Sequence, residues 1–307
     1  MNVQPGKDWK FFLFGQHTEA LRDDLKRRGA RLTDAPGEAD LIIPCGGDGT
    51  LFTAELRWPG RLKYPIRDSA TAPRCPAHGL DTQLDAFFAG ELKTTRLPKL
   101  SGRANGRELF AINDIFLHNQ MSVTALRYSV SIDGAMYARE VVGDAVGAAT
   151  IHGSTAYYRS ITHSIFRTGI GLAFSNSTEL VNHLVLPENS LIRIDILRGP
   201  AVMVADNSEE TVLVEVGGFA ELSMSDRFTD ILGLDLFMCS ECRRLRHTLR
   251  DSTRFIGGGE GGRCPCGSSS PRARRARRST PSGSSPINRP AGWATPSRRP
   301  PSRRVTT

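Results

Sequence analysis

Residues 41–52, Leu-Ile-Ile-Pro-Cys-Gly-Gly-Asp-Gly-Thr-Leu-Phe, decide the fold of the first part of the chain. Their opening apolar run comes directly before the glycines, which is typical of a short buried strand. The glycines permit a sharp turn, and residues 51–57 have the composition of a helix. The sequence therefore predicts a strand, a glycine-rich loop and a helix in direct succession.

The loop Gly-Gly-Asp-Gly-Thr at residues 46–50 predicts a site for an anion such as phosphate. Glycines let the backbone approach a ligand closely, and the following helix directs free N–H groups and its positive dipole end at the same place. Asp48 would repel phosphate, so its presence indicates that it accepts a proton from an attacking hydroxyl or holds a cation. The alternative is a glycine-rich turn in which Asp48 caps the helix.

A second strand and helix precede this loop in the sequence. Residues 10–14, Lys-Phe-Phe-Leu-Phe, predict a short buried strand, and a helix is expected between Thr18 and Gly29. Residues 58–79 resemble a loop, and residues 81–92 predict a further helix. Alternating strands and helices of this kind favour an α/β domain.

From about Thr94 the pattern changes to short strands and turns. Asn105-Gly106 and Asp133-Gly134 are typical of tight β-hairpins. The strand candidates are residues 126–132, 136–142, 171–174, 191–197, 201–205, 211–216 and 220–224. We expect an α/β domain over residues 1–120, followed by an all-β, β-sandwich-like domain over residues 121–237.

The C-terminal part of the chain has a different composition. Residues 238–256 carry no clear structural pattern. Residues 257–307 are rich in Gly, Ser, Pro and Arg, cannot bury enough apolar surface to fold, and are predicted to be disordered. This tail contains eleven arginines and one acidic residue, Glu260, so it accounts for the net charge of +8. We therefore expect no specific nucleic-acid binding by the folded part, and only nonspecific contacts of the tail with polyanions.

Hydropathy and the N-terminal residues indicate the cellular location. No apolar run approaches the ~20 residues that a membrane helix needs, which excludes a helical membrane protein. The first residues lack the basic and then apolar pattern of a secretory signal, so we expect the cytoplasm.

Six cysteines in a chain of this length, without a signal peptide, do not predict a disulfide scaffold. Cys239, Cys242, Cys264 and Cys266 can together supply four thiolates to zinc, with His247 as an alternative ligand. The last pair has one intervening residue instead of two. The alternative is that these residues are ordinary reduced thiols.

Two further motifs carry groups suited to a ligand. Asn113-Asp114 lies between apolar flanks, and its amide and carboxylate suit ligand hydroxyls or a purine edge. A turn or a strand end is the alternative. Residues 143–157 combine small residues with hydroxyls and end in Tyr157, which can form a wall against a flat ring or start a capped helix.

In this order, the three motifs resemble those of the NAD kinase family, and the resemblance spans residues 10–225. That family pairs a Gly-Gly-Asp-Gly-Thr loop with a downstream Asn-Glu/Asp pair and a Thr-Pro-Thr-Gly-Ser-Thr-Ala-Tyr stretch. The loop alone also occurs in lipid kinases. The resemblance implies an N-terminal α/β domain, a β-sandwich-like C-terminal domain, an NAD site between them and a homo-oligomer.

The resemblance also implies an activity and its residues. It implies phosphorylation of the 2′-hydroxyl of the adenosine ribose of NAD(H), with ATP or polyphosphate as donor and a divalent cation such as Mg²⁺. Asp48 matches the residue that activates the hydroxyl, while Gly46, Gly47, Gly49 and Thr50 are expected to bind donor phosphates. The positions matching the NAD-binding residues are Asp48, Asn113, Asp114, Asp144, Thr155, Ala156, Tyr157 and Ser160. Asp206 is similar to a late Asp-Gly turn of the family, with Asn207 in place of Gly.

The sequence departs from the family pattern at two places. Ile151 and His152 stand where the family has Pro and Thr, and residues 66–79 lack its usual Gly-Ile-Asn-x-Gly segment. His152 either replaces the Thr contact or lies on the surface. Two other functions stay open: a lipid kinase of the diacylglycerol or sphingosine type, and a catalytically weak NAD-binding regulatory protein.

Overall fold

The computed structural model of the chain describes residues 6, 8–68, 72, 74–121 and 123–245. The helices are α1 (Glu19–Arg27), α2 (Asp48–Arg57), α3 (Leu80–Phe88), α4 (Tyr157–Thr162) and α5 (Leu234–Phe237), and residues 240–245 are also helical. The strands are β1 (Lys10–Gly15), β2 (Arg31–Leu32), β3 (Leu41–Cys45), β4 (Thr94–Ala104), β5 (Arg107–Ala111), β6 (Asp114–Asn119), β7 (Leu126–Ile132), β8 (Ala135–Gly143), β9 (Ala145–Ala149), β10 (Ile170–Ser175), β11 (Leu184–Leu186), β12 (Ile192–Arg198), β13 (Ala201–Ala205), β14 (Thr211–Val214) and β15 (Phe219–Leu232). None of the described helices is long and apolar enough to cross a membrane. The disorder predicted for residues 257–307 concerns residues outside this description.

The N-terminal part is a parallel sheet of three strands in the order β2-β1-β3. Every residue of β3 is buried, as expected for a parallel strand whose sheet has helices packed on its faces. Leu21 and Leu25 of α1 pack with Leu84 and Phe87 of α3 in the core beside this sheet. The predicted α/β part is therefore confirmed, including the strand expected at residues 10–14.

Part of the segment 58–79, which the sequence predicted to be a loop, extends this sheet. Ile66 forms a parallel bridge with Cys45 at the end of β3. Tyr64 is fully buried, and its side chain stacks on Phe87 of α3 with the ring centroids 5.0 Å apart. The loop prediction was wrong at these positions, because an extended segment of so few residues has no alternation that sequence reading can detect.

The rest of the described chain forms two antiparallel sheets of six strands each. Their orders are β11-β10-β9-β6-β13-β14 and β5-β4-β15-β12-β7-β8. Apolar side chains of both sheets meet in one core, and at Gly102 of β4 the sheets approach closely. A Cβ atom at Gly102 would lie 3.0 Å from Ile115 Cγ2 and from Met203 Sδ on the other sheet. The predicted β-sandwich-like part is confirmed.

Both predicted hairpins are present in the sandwich. Asn105 and Gly106 have φ angles of 49° and 71° between β4 and β5, and Asp133 and Gly134 have φ angles of 51° and 82° between β7 and β8. Two consecutive residues with positive φ define the turn that matches the twist of paired strands. Asn, Asp and Gly adopt this conformation more readily than other residues, so the local sequence was sufficient to predict both turns.

The long strands β4 and β15 connect the two parts of the molecule. Near the end of β15, the Lys63 N–H donates to the carbonyl of Asp230 at 3.2 Å, and the Leu232 N–H donates to the carbonyl of Lys63 at 2.7 Å. The strands that belong to the sandwich begin at Thr94, whereas the sequence placed the domain boundary at residue 120. Turn residues reveal a hairpin, but they do not reveal which sheet the hairpin joins.

Candidate active site

The glycine loop joins the end of β3 to the start of α2. Helix α2 begins at Asp48, so the first residues of the helix belong to the loop itself. The N–H groups of Thr50 and Leu51 donate to the carbonyl of Gly47 at 3.1 Å and 3.3 Å. A Cβ atom at Gly46 would lie 2.2 Å from Thr50 Oγ1, so only glycine fits there. The end of β1 approaches the end of β3 just as closely. Gly15 has a φ of 129°, and a Cβ atom there would lie 2.1 Å from the carbonyl oxygen of Cys45.

A cavity of about 460 Å³ opens beside this loop. Its lining residues are Phe14, Gly15, Gln16, Cys45, Gly46, Gly47, Gly49, Thr50, Thr53 and Asp68. All four residues predicted to bind phosphate are among them. Backbone N–H groups, a threonine hydroxyl and a helix N-terminus are a donor set that suits an anion.

Asp48 is held by an arginine that the sequence analysis did not identify. Arg67 Nη2 donates to Asp48 Oδ1 at 3.0 Å, and the Arg67 guanidinium lies 3.7 Å from the ring centroid of Phe237. The Arg67 side chain is 10% exposed and that of Asp48 is 49% exposed. The carboxylate is therefore fixed by a buried cation while it remains accessible from outside.

A turn at the start of β6 presents Asn113 and Asp114. The carboxylate of Asp206 accepts the N–H groups of Ile112 and Asn113, both at 2.7 Å, and that of Asp114 at 3.2 Å. Asp206 has a φ of 47°, and its own N–H donates to the carbonyl of Asp114 at 3.0 Å. Asp206 thus fixes the backbone of the predicted NAD-binding pair.

The side chains of this turn are electrostatically unusual. Burial raises the pKa of Asp114 to about 7, and the charge of Asp206 acts in the same direction. Burial also raises the pKa of Asp206 to about 6, although three backbone N–H groups favour its ionised form. Asn113 Oδ1 is buried and has no hydrogen-bond partner among the described residues. An acceptor without a partner in such a place is available to a ligand donor.

The third motif packs directly against this turn. The Thr150 N–H donates to the carbonyl of Asn113 at 2.8 Å, and Thr150 Oγ1 donates to the carbonyl of Ile112 at 2.6 Å. A Cβ atom at Gly153 would lie 2.0 Å from the carbonyl oxygen of Asn113, so this approach requires glycine. The fold therefore joins two motifs that are separated in the sequence.

One contact and one electrostatic interaction connect this unit to the glycine loop. Asn207 Nδ2 would lie 3.0 Å from a Cβ atom at Gly49, so the turn that contains Asp206 touches α2. Burial lowers the pKa of His152, and the negative charge of Asp48 opposes this effect. His152 is thus close enough to Asp48 to feel its charge.

A second cavity, of about 540 Å³, lies beside the third motif, at Thr150 and His152. Its lining residues are Thr95, Arg96, Leu97, Pro98, Thr150, Ile151, His152, Thr155, Leu234, Asp235 and Met238. His152 therefore lines a cavity, as it would if it replaced the Thr contact of the family pattern. Thr155 is the member of the predicted group 155–160 that reaches this cavity.

The other predicted NAD-binding residues lie further along the sandwich. Thr150 and Asp144 flank β9 on its two sides. We call the side of Thr150, next to the Asn113 turn, the near end and the side of Asp144 the far end. The six residue steps between them cover about 20 Å. Asp144 is exposed, and its Oδ2 accepts a hydrogen bond from Asn176 Nδ2 at 2.7 Å. The fold therefore does not bring Asp144 to the Asn113 turn.

Residues 156–160 lie between these two ends. Ala156 is half-buried, and the Tyr157 ring packs edge-on against Phe116 with the centroids 4.7 Å apart. The Tyr157 hydroxyl lies 3.3 Å from Ser175 Oγ, near the far end of β9. Ser160 is exposed, and its hydroxyl donates to the carbonyl of Tyr157 at 2.7 Å.

The sequence is similar to several bacterial NAD kinases, although no protein-family model matches it. It is 28% identical over 203 residues to the NAD kinase of Brucella melitensis, which covers 62% of this chain and 77% of that protein. It is 26% identical over 214 residues to the NAD kinase of Syntrophotalea carbinolica, which covers 64% of this chain and 74% of that protein.

Two solved structures share the fold. An NAD kinase from Archaeoglobus fulgidus in complex with ATP superimposes with a TM-score of 0.60 at 18% identity, covering 78% of this chain and 98% of that one. A yeast NADH kinase complexed with NADH gives a TM-score of 0.61 at 16% identity, covering 83% and 90%. The chain is therefore similar in sequence to NAD kinases and has the fold of these two kinases. The resemblance predicted from the three motifs is thereby confirmed.

Kinases of this family are expected to use Mg²⁺, and the residues at the glycine loop fit that ion. Mg²⁺ prefers oxygen ligands and is usually held by one or two carboxylates together with the phosphates of the substrate. Asp68 lines the loop cavity, and Asp48 follows Gly47 of its lining directly in the sequence. Asp68 therefore offers the loop cavity a carboxylate that suits a phosphate-bound cation, and Asp48 is the acidic residue of the loop itself.

Arg67 and Asp68 are the site residues that sequence reasoning missed. They follow the apolar segment Tyr-Pro-Ile at residues 64–66, which pairs with the end of β3. A polar pair next to an apolar segment resembles the signal at Asn113-Asp114, which lies between apolar flanks. The prolines and glycines around this segment favour a loop and conceal the signal.

Proposed function

We propose that the chain transfers the γ-phosphoryl group of ATP to the 2′-hydroxyl of the adenosine ribose of NAD or NADH, giving ADP and NADP or NADPH. The observation that carries this proposal is the convergence of the glycine loop with the turn at Asn113-Asp114 and with residues 150–155. A lipid kinase needs only the first of these motifs. The other two, joined at the carbonyl of Asn113, favour a dinucleotide acceptor.

The glycine loop binds the phosphates of the donor. Gly47, Gly49 and Thr50 line the loop cavity, and the N-terminus of α2 adds its positive dipole end there. The N–H groups of Gly46 and Thr50 already donate to the carbonyls of Ile66 and Gly47, so Gly47, Gly49 and the Thr50 hydroxyl are the proposed donors to phosphate. These donors are fixed before the substrate binds, so they stabilise transferred charge without reorganisation. When bound, Mg²⁺ would supply neutralisation of phosphate charge, and Asp68, which lines the loop cavity, would hold it together with the phosphates.

Asp48 is the general base for the acceptor hydroxyl. As the 2′-oxygen attacks the γ-phosphorus, Asp48 accepts the hydroxyl proton, and the bond between that phosphorus and the departing ADP oxygen breaks. Arg67 is a positioning residue that fixes one carboxylate oxygen at 3.0 Å. Half of the Asp48 side chain stays exposed, which supports access by a substrate hydroxyl.

Asn113 and Asp114 hold the dinucleotide. The buried Oδ1 of Asn113 accepts a hydrogen bond from the ligand, which removes the cost of an unpaired buried acceptor. With its pKa raised to about 7, Asp114 is partly protonated near neutral pH and both donates to and accepts from ribose hydroxyls. His152 and Thr155 line the adjacent cavity and contact the same ligand.

Three finer properties remain predictions from the family resemblance. They are the choice between ATP and polyphosphate as donor, assembly into a homo-oligomer, and a cytoplasmic location. Sedimentation velocity of the purified chain measures the assembly state. Product formation with each donor in turn measures the donor preference.

The test of the proposal is an assay of the purified chain with ATP, Mg²⁺ and NAD, in which NADP is detected by an NADP-specific dehydrogenase. A matched NAD analogue that lacks only the 2′-hydroxyl of the adenosine ribose should give no phosphorylated product, whereas the 3′-deoxy analogue should. Turnover of diacylglycerol or sphingosine without NADP formation would establish the lipid-kinase alternative. Tight NAD binding without any turnover would establish the regulatory one.

A further inference from the structure

Four potential metal ligands meet at a place outside the loop cavity. The sulfur atoms of Cys75, Cys239 and Cys242 and a ring nitrogen of His78 all lie within 4.8 Å of one another. His78 Nδ1 is 3.4 Å from Cys75 Sγ and 3.6 Å from Cys242 Sγ. All three cysteines are free thiols. In the part of the chain that the structure describes, this is the one group of three or more such side chains with this proximity.

Each half of the group comes from one short helical turn. Cys75-Pro-Ala-His78 includes the 3₁₀ turn Pro76–His78, and Cys239-Ser-Glu-Cys242 enters the helical residues 240–245. Two intervening residues between ligands bring both side chains to the same side of such a turn, and this spacing is typical of structural zinc sites. The Cys75 N–H donates to Cys242 Sγ at 3.3 Å and joins the two halves.

The distances match the edges of a tetrahedral zinc site. With Zn–S near 2.3 Å and Zn–N near 2.0–2.1 Å, a sulfur and a nitrogen on one tetrahedral ion lie about 3.6 Å apart. The two separations from His78 Nδ1 in the structure are 3.4 Å and 3.6 Å. A single imidazole nitrogen forms one hydrogen bond through its proton or lone pair, so it satisfies one sulfur. A shared ion accounts for both contacts.

We propose that Cys75, His78, Cys239 and Cys242 bind one zinc ion. Thiolate and imidazole ligands select zinc over Mg²⁺ and Ca²⁺, which prefer oxygen. Four protein ligands fill a tetrahedral shell and leave no position for water or substrate, so the site is structural and performs no chemistry itself.

The zinc site fixes the two segments that hold Arg67. Arg74, next to Cys75, donates to the carbonyl of Arg67, and the second ligand pair begins two residues after Phe237. The Phe237 ring stacks on the Arg67 guanidinium, and its carbonyl accepts from Arg67 Nε at 3.3 Å. If the proposed function is correct, the zinc ion therefore keeps the Arg67–Asp48 pair in position.

Elemental analysis of the full chain tests this proposal. Protein from zinc-supplemented cells, purified without a metal-affinity resin or chelator, should contain about one zinc per chain. Cys75→Ser and Cys242→Ser should lose most of it, while Cys45→Ser, at a buried cysteine outside the group, should retain it. Absence of zinc from the unaltered chain, or its full retention in both ligand variants, would overturn the proposal.

A second control separates this ligand set from the one suggested by the sequence alone. Cys264, Cys266 and His247 lie outside the described residues. The double variant Cys264→Ser/Cys266→Ser should retain its zinc. Loss of zinc from that variant would overturn the assignment of Cys75 and His78.

Ligand variants of a structural zinc site can fail to fold, so a measurement on the unaltered chain is also needed. Reduced, zinc-free chain titrated with Co²⁺ alone should develop thiolate-to-cobalt absorption that saturates near one equivalent. His78→Cys should retain one metal ion, because four thiolates also form a tetrahedral site. A chain that shows no such absorption would refute the site. These readouts do not involve NADP, so their failure is distinct from failure of the proposed kinase activity.

Discussion

The two ends of β9 are built in different ways. At the near end, Thr150 donates both its N–H and its hydroxyl to the backbone at Ile112 and Asn113, and Asp206 accepts three further N–H groups from the same turn. At the far end, Asp144 is exposed, and its side chain bonds to Asn176. Both ends carry residues that the family resemblance assigns to NAD, and the backbone of Asp144 is also held, because its N–H donates to the carbonyl of Ser175 and its carbonyl accepts from the N–H of Asn119. The ends differ in their side chains, since the near end offers a ligand the buried Oδ1 of Asn113 and the far end an exposed carboxylate.

This difference indicates where binding energy resides. A ligand that meets a buried acceptor already fixed by its surroundings loses little conformational freedom, so the full hydrogen bond contributes to affinity. A ligand that meets an exposed carboxylate replaces water at nearly equal free energy. We therefore expect the effects of substitution to decrease from the glycine loop through the near end to the far end.

The largest effect is expected from Asp48→Asn, which should lower the rate of NADP formation about 10²- to 10⁴-fold. The amide has the size of the carboxylate but cannot accept the hydroxyl proton. Asp34→Asn, at a carboxylate whose side chain is 94% exposed, is the matched control and should leave the rate unchanged. Calorimetry should show that NAD binding persists, and an unaltered Tm would show that loss of the ion pair with Arg67 is not the cause. Near-normal turnover would exclude Asp48 as the base.

A smaller effect is expected at the near end. Asn113→Ala and Asp114→Ala should each weaken NAD binding about 5- to 150-fold, because losing a buried hydrogen-bond partner costs about 1–3 kcal/mol. Calorimetric titration with NAD measures this loss, and the affinity for ATP should stay nearly constant. Asn182→Ala, at an exposed asparagine before β11, is the control. If both near-end variants bound NAD normally, the turn would have no part in the acceptor site.

Local sequence was sufficient for the strand, loop and helix at residues 41–57 and for the hairpin at Asn105-Gly106. Hydrophobic runs, helix composition and residues that tolerate positive φ act within a few positions, so they can be read without a fold. The contacts that support the site, in contrast, join residues that lie far apart in the sequence. Asp206 reaches the N–H of Asn113 across 93 positions, and Phe237 packs on Arg67 across 170. Such pairs depend on how the sheets close, which no local pattern specifies.

The near end should also give the chain a recognisable pH dependence of stability. The pKa values of Asp114 and Asp206 are raised from the ordinary 3.8 to about 7 and about 6. At pH values between the ordinary pKa and the raised one, the folded state therefore keeps protons that the unfolded state has already released. The free energy of unfolding should consequently fall as the pH rises from about 4 to about 7, by at most about 1.4 kcal/mol per pH unit for each group.

Urea unfolding at a series of pH values measures this decline. Asp114→Asn, whose amide resembles the protonated acid, should show a shallower decline than the unaltered chain, and Asp34→Asn should follow the unaltered chain. A decline of the same steepness in Asp114→Asn would mean that Asp114 is already ionised across this range. The pKa of Asp114 would then not be raised in the folded protein.

The smallest effect is expected at the far end, from Asp144→Ala. The carboxylate is exposed and bonds to Asn176 at 2.7 Å, and an exposed contact of this kind contributes at most about 1 kcal/mol, so NAD binding should weaken about 5-fold or less. Calorimetric titration of Asp144→Ala and Asn113→Ala with NAD compares the two ends directly. Ser160→Ala gives a second exposed position for the same measurement. An Asp144→Ala loss as large as that of Asn113→Ala would show that the bound dinucleotide extends along β9 for about 20 Å. The exposed carboxylate of the far end would then contribute as much to affinity as the buried acceptor of the near end.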